Sequence, residues 1–195
     1  MTAILGVVEF QTPVYKDGRG LFTSPLREPD FEAAVGRKMF PVKDISYNVS
    51  GRGVLRGIHY TTTPPGRAKF VYCPHGVVTD YLVDLRVGSP TFGTWSVTEL
   101  SGDCGRALYI PIGVGHAFLS HREGSVIVYV MSQGYVPEHE LAISAVDPAV
   151  GLPIGDMPIT QSQRDVTAPT LKVARQQGLL PDYETCLKVE AALWA

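Results

Sequence analysis

The stretch Val77-Val78-Thr79-Asp80-Tyr81-Leu82-Val83-Asp84-Leu85 decides the fold. β-Branched and aromatic residues dominate it, as they do in strands. Its alternation is only partial, because one parity holds Val77, Thr79, Tyr81, Val83 and Leu85 while the other holds Val78, Asp80, Leu82 and Asp84. Successive side chains of a strand point to opposite faces, so two carboxylates share a face with large apolar residues. That pattern fits a barrel with a polar pocket inside, and about eight strands close a barrel just wide enough for one small ligand. Similar runs at residues 54–60, 69–73, 94–100, 107–110, 116–120 and 125–131, separated by Gly, Pro and Ser, predict a sandwich or barrel.

Outside these strands, Asp17-Gly18-Arg19-Gly20 reads as a turn and residues 30–36 as a short helix, while residues 137–158 form a proline-rich loop region. Helical signals appear near the C-terminus, where residues 169–177 end at Gly178 and residues 182–192 follow Pro181. There is no internal repeat. One domain over residues 1–195 is expected, with a barrel core at about 45–150 and a helical extension at about 165–195.

Composition narrows the function. With 45% hydrophobic and 18% charged residues the chain reads as an ordinary globular protein. A formal net charge of −2 gives no global attraction to nucleic acid or an anionic membrane, so any anionic ligand needs a local cationic cluster. No apolar run approaches membrane-spanning length, and the N-terminal MTAILGVVEF lacks a basic region followed by a cleavage site, so a cytoplasmic location is expected. Cys73, Cys104 and Cys186 are far apart and form no CxxC pair, which argues for reduced, structural thiols.

Two motifs carry chemistry. Gly53-Val54-Leu55-Arg56-Gly57-Ile58-His59-Tyr60 sets a guanidinium and an imidazole on a short apolar strand where packing needs neither. Arg56 and His59 have opposite parity, so they share a pocket only if the strand is irregular near Gly57, where a bulge is tolerated. The second motif is Gly105-x5-Pro111-x-Gly113-x2-His116. With Gly53-x5-His59 it resembles the two motifs of the cupin superfamily, which implies a mostly β, cupin-type jelly-roll barrel with short C-terminal helices appended. Metal-binding cupins carry a second histidine where Thr61 stands and a glutamate where Lys69 stands. An ammonium repels a divalent cation and does not coordinate it, so no metal and no cofactor is expected. His75, His121 and His139 read as surface residues.

A more specific resemblance follows from Gly53–Tyr60 taken with Pro65-Gly66-Arg67-Ala68-Lys69, residues 83–93, residues 110–118, Tyr129, Tyr135-x-Pro137-x-His139-Glu140, Asp147-Pro148 and Ser162-x2-Asp165-x3-Pro169-x-Leu171. Together these are similar to the dTDP-4-dehydrorhamnose 3,5-epimerase family, which acts on dTDP-4-keto-6-deoxyhexoses. Residues 65–69 and Gly178-Leu-Leu-Pro-Asp-Tyr-x2-Cys186 resemble the branch that makes sugars of bacterial antibiotics. The resemblance implies His59 as base, Asp165 as its partner, Tyr129 as acid and Lys69 as the clamp on the C4 oxygen. An imidazole suits the base because it accepts a proton near neutrality. Taken singly, Tyr129 reads rather as a core aromatic and Asp165 as a turn former, while a core histidine is the alternative for His59. The resemblance further implies that Arg56 and Arg19 bind the diphosphate, with Arg19 reaching a neighbouring subunit's site in a homodimer. Tyr135 would stack on thymine, and His116, Glu140 and Arg164 would lie near the ligand.

The chain departs from the family where Gln-x-Asn-x-Ser-x-Ser becomes Asp44-x-Ser46-x-Asn48-x-Ser50, and where Phe22-Thr23-Ser24 replaces an aromatic-Glu step. Asp44 either disfavours an anionic nucleotide or accepts a base N–H. Three other readings stay open at this level: a cupin that binds a nucleotide sugar without turning it over, a 3,4-ketoisomerase, and a metal-dependent dioxygenase, the last disfavoured by Thr61 and Lys69.

Overall fold

The computed structural model describes residues 3–194; Met1, Thr2 and Ala195 of the expected domain lie outside the described residues. The strands are β1 (Val8–Gln11), β2 (Val14–Asp17), β3 (Gly20–Thr23), β4 (Asp44–Ser50), β5 (Leu55–Thr61), β6 (Lys69–His75), β7 (Val77–Asp84), β8 (Trp95–Ser101), β9 (Arg106–Ile110), β10 (Val114–Ser120), β11 (Ser125–Met131) and β12 (Glu140–Ala142). The helices are α1 (Glu28–Val35), α2 (Gln163–Val166), α3 (Leu171–Gln176) and α4 (Tyr183–Ala191). Two five-stranded antiparallel sheets, in the orders β1-β9-β6-β11-β4 and β12-β5-β10-β7-β8, pack into a jelly-roll barrel, and β2-β3 forms a separate hairpin.

Three apolar clusters hold these layers. Between the sheets lie Val71, Val78, Leu82, Leu108, Ile110, Phe118 and Ile127. The opposite parity of the same strands is also buried: Tyr81, Val83 and Leu119 pack under Ile143, Val150 and Ala174, and Phe70, Tyr109 and Val130 pack under Phe31 of α1 and Cys186 of α4. Covering both faces of β7 explains why its alternation is blurred. Polar residues at sequence-local positions fix the covering segments. Ser162, Thr170 and Asp182 cap α2, α3 and α4 by accepting the N–H three residues on. The segment before α2 docks beside β5, where Leu55 N–H donates to Thr160 at 2.9 Å and Thr160 N–H to Gly53 at 2.8 Å.

The structure adds β1 to β4, β12 and α2 to the expected elements, and β1 joins the first sheet from before residue 45. The helix expected at 30–36 starts two residues earlier and ends one earlier, as α1, with Gly36 as its C-cap, while those expected at 169–177 and 182–192 shorten to α3 and α4, where Thr170 and Asp182 serve as caps. Among the described residues no helix is long and apolar enough to cross a membrane.

Candidate active site

Polar side chains replace the apolar filling between the sheets on the side where β4 and β11 face β5 and β12. A cavity of about 250 Å³ opens there, walled by Ser46 and Asn48 of β4, Arg56 and His59 of β5, Lys69 of β6, His116 and Phe118 of β10, Tyr129 and Met131 of β11, with Arg67, Tyr135 and Glu140. Three cationic side chains, Arg56, Arg67 and Lys69, therefore converge here in a chain of net negative charge, with Glu140 beside them.

A bulge in β5 brings Arg56 and His59 to one face. His59 pairs with His116 and Arg56 with Phe118, so a three-residue step on β5 spans a two-residue step on β10. Gly57 makes this possible: its φ is +106°, and an added Cβ would lie 2.4 Å from the His116 carbonyl oxygen.

His59 Nε2 lies 2.6 Å from Asp165 Oδ1, across 106 residues of sequence. The Ser162 cap sets this geometry, because it starts α2 so that Asp165 N–H meets Ser162 Oγ and the Asp165 carboxylate turns inward. Burial alone would push the Asp165 carboxyl up. The bond and charge of His59, with hydrogen bonds from Ser162 and the Gly57 backbone, outweigh that and hold it below the usual carboxylate value. An ionised Asp165 keeps the imidazole in one orientation and stabilises its protonated form.

A second histidine–carboxylate pair stands next to the first. His116 is the cross-strand neighbour of His59, and its Nε2 lies 2.6 Å from Asp80 Oδ2. Both members are buried, and Asp80 Oδ1 has no hydrogen-bond partner among the described residues. Tyr129 sits on the facing sheet with its ring 5.8 Å from that of His116, edge to face. Burial raises the Tyr129 phenol well above its ordinary value, against the opposing pull of the Asn48 amide, which donates to its oxygen at 3.0 Å.

Lys69 is 7% exposed, and its ammonium makes no hydrogen bond or ion pair among the described residues. Burial depresses its ammonium to about 8, while Glu140 and Asp80 pull the value up and Arg67 pushes it down. Arg67 is ion-paired to Glu140, which also accepts from Thr61 at 3.0 Å. Its guanidinium lies 5.8 Å from the Tyr135 ring centre, and its Nε is buried with no hydrogen-bond partner among the described residues.

Of the residues singled out in the sequence, His59, Asp165, Lys69, Tyr129, Arg56, His116, Tyr135 and Glu140 are gathered at this cavity. Arg19 and Arg164 are not among its walls. Arg19 occupies the turn of the β2–β3 hairpin, 92% exposed and ion-paired with Asp17 at 2.6 Å, and Arg164 is exposed on α2. Sequence reading did not single out Asp80, Asn48 or Arg67 as site residues. The signals were present, in the carboxylate on the apolar parity of β7 and in the third cation two residues before Lys69.

Known proteins resemble this chain along most of its length. The family model described as dTDP-4-dehydrorhamnose 3,5-epimerase matches residues 1–173. A dTDP-4-dehydro-6-deoxyglucose 3-epimerase of Streptomyces bikiniensis is 40% identical over 183 residues, covering 93% of each chain, and a dTDP-4-dehydrorhamnose 3-epimerase of Streptomyces niveus is 41% identical over 95% of this chain and 89% of its own. Among solved structures, the 3′-monoepimerase ChmJ of Streptomyces bikiniensis in complex with dTDP-quinovose superposes with a TM-score of 0.92 at 38% identity, over 98% of this chain and 96% of that one. The rmlC epimerase of Mycobacterium tuberculosis gives 0.91 at 36% identity, over 99% and 98%. A jelly roll with a histidine–aspartate pair, a lysine and a tyrosine around one cavity, matched along nearly its whole length, belongs to the dTDP-4-dehydrorhamnose 3,5-epimerase family.

Proposed function

We propose that this chain is a cofactor-free epimerase that inverts C3, C5 or both of a dTDP-4-keto-6-deoxyhexose, in the cytoplasm, in the building of antibiotic sugars. One observation carries the reading. His59 and Tyr129 stand on different sheets, β5 and β11, and face each other across one cavity. Inversion next to a ketone requires a base on one face of the carbon and an acid on the other.

His59 takes the proton from the carbon, and the buried Asp165 carboxylate stabilises the imidazolium that forms. Electrons move onto the C4 oxygen, where the Lys69 ammonium, otherwise without a partner, stabilises the enolate. Tyr129 then delivers a proton from the opposite face. Lys69 must be charged for this, so the clamp works below about pH 8. Tyr135, exposed at the cavity mouth, stacks on the thymine, and Arg56 holds the diphosphate, for which a guanidinium fork is suited. His116 and Glu140 of the cavity wall contact the sugar nucleotide, and Arg164, exposed on α2 outside that wall, reaches only a part of the ligand that projects from the cavity.

The exposed hairpin supports a homodimer. Tyr15, Leu21 and Phe22 flank Arg19 with 64%, 46% and 66% exposure, an apolar surface carrying a cation away from its own cavity. In the dimer the partner subunit's Arg19 completes the diphosphate site.

The test is solvent exchange. The His59→Ala enzyme should lose deuterium uptake at both C3 and C5, and uptake at the unmodified enzyme's rate would remove His59 from the reaction.

A further inference from the structure

We propose that Ser50 and Asn48 form a one-way hydrogen-bond relay from Arg56 to Tyr129 that aims the Tyr129 hydroxyl proton into the cavity, which makes Asn48 a positioning residue for the acid step. The inference rests on the epimerase reading and assigns a task to side chains which that reading leaves idle.

The donors fix the direction. β4 turns Ser46, Asn48 and Ser50 inward, since the alternate residues Ile45, Tyr47 and Val49 are 65%, 72% and 56% exposed. Arg56 Nε donates to Ser50 Oγ at 3.1 Å, and a guanidinium has no acceptor with which to reverse that bond. Ser50 Oγ in turn donates to Asn48 Oδ1 at 3.4 Å, which orients the amide with its NH2 toward Tyr129. Asn48 Nδ2 then donates to the Tyr129 oxygen at 3.0 Å. An amide NH2 offers no lone pair for the return bond, so the phenol is an acceptor toward β4 and its O–H must point elsewhere. Among the described residues its hydroxyl makes no other hydrogen bond, and the space it faces is the cavity.

The proton transfer follows. The enolate carbon takes the Tyr129 proton, so that the O–H bond breaks as the C–H bond forms, and the C4 carbonyl is restored. The phenolate left behind keeps the Asn48 N–H as donor and takes a proton from water once the product leaves. A neutral phenol gains little from that donor and a phenolate gains more, so Asn48 stabilises the state after transfer over the state before it. Base removal by His59 on the other sheet does not involve the relay.

Exchange and inversion, read together by proton NMR in D2O with dTDP-4-keto-6-deoxyglucose, separate these steps. Asn48→Ala should exchange within about twofold of the unmodified enzyme while inverting roughly 10- to 100-fold more slowly, the loss of one charge-assisted bond. Asn48→Asp keeps the shape but reverses the bond, drawing the phenolic proton toward β4, and should invert more slowly than the alanine variant. A packing role predicts the opposite order, with the isosteric aspartate nearer the unmodified enzyme and both rates falling together. Because the aspartate variant fills the same space, it carries the test if the alanine variant does not fold. Unchanged inversion in Asn48→Ala, or a parallel fall of both rates, overturns the relay and leaves the epimerase reading standing. Absence of exchange in the unmodified enzyme overturns both.

Discussion

Replacing Lys69 by Met should abolish epimerisation and stabilise the fold. Lys69 is 7% exposed, and among the described residues its ammonium has no bond to offset its desolvation. Burial, against the pull of Glu140, brings it from 10.5 to about 8. Each unit corresponds to about 1.4 kcal/mol, so carrying the charge destabilises the folded state by about 3 kcal/mol at pH 7. The sign follows from the order of the two values. With the folded value below the unfolded one, the destabilisation is complete below about pH 8 and fades as pH climbs toward 10.5. Met has a similar length and no charge to desolvate. Urea unfolding of the two proteins should therefore show Lys69→Met more stable by about 3 kcal/mol at pH 7, with the gap shrinking to about 1 kcal/mol at pH 9.5. A Met variant less stable than the parent at pH 7, or a gap independent of pH, would refute the view of Lys69 as a buried cation held for a substrate oxygen.

Other outcomes follow from the same geometry. Tyr129→Phe should retain exchange while completed inversion falls at least about 100-fold, since proton removal does not use the acid; equal loss of both would make the tyrosine a binding or structural residue. Gly57→Ala places a Cβ 2.4 Å from a backbone carbonyl at φ +106°, and should destabilise by about 2–4 kcal/mol in urea unfolding, whereas a change under about 1 would mean the bulge adapts. Inactive Arg19→Ala and His59→Ala proteins, unfolded and refolded together, should recover about a quarter of full activity, because half the dimers are mixed and each mixed dimer has one intact site. No recovery would mean that Arg19 serves its own chain's site, or none.

Much of the barrel is legible in the chain because burial on both strand faces leaves dense Val, Tyr and Ile runs, as in β7 and β11. β4 escapes such a reading because its pattern is inverted. Its inward residues are polar, Ser46 and Asn48 because they wall a cavity and Ser50 because it accepts from Arg56, and its outward Ile45, Tyr47 and Val49 are apolar yet exposed at a sheet edge. β1, β2 and β3 are four residues each, too short to set a period. Within the site, the chain itself displays the histidines, the lysine and the condition that Arg56 and His59 share a face only if β5 is irregular at Gly57. Meeting that condition depends on pairing with β10, a long-range fact. The pairing of Asp80 with His116 is likewise set by register between β7 and β10, not by spacing.

The most direct test of the central claim is proton NMR of the chelator-treated protein with dTDP-4-keto-6-deoxyglucose in D2O, following the C3 and C5 hydrogens separately. Deuterium should enter at C3, at C5 or at both and the matching epimer should appear, the labelled carbon identifying where His59 acts. A bound sugar nucleotide that exchanges at neither carbon would contradict it.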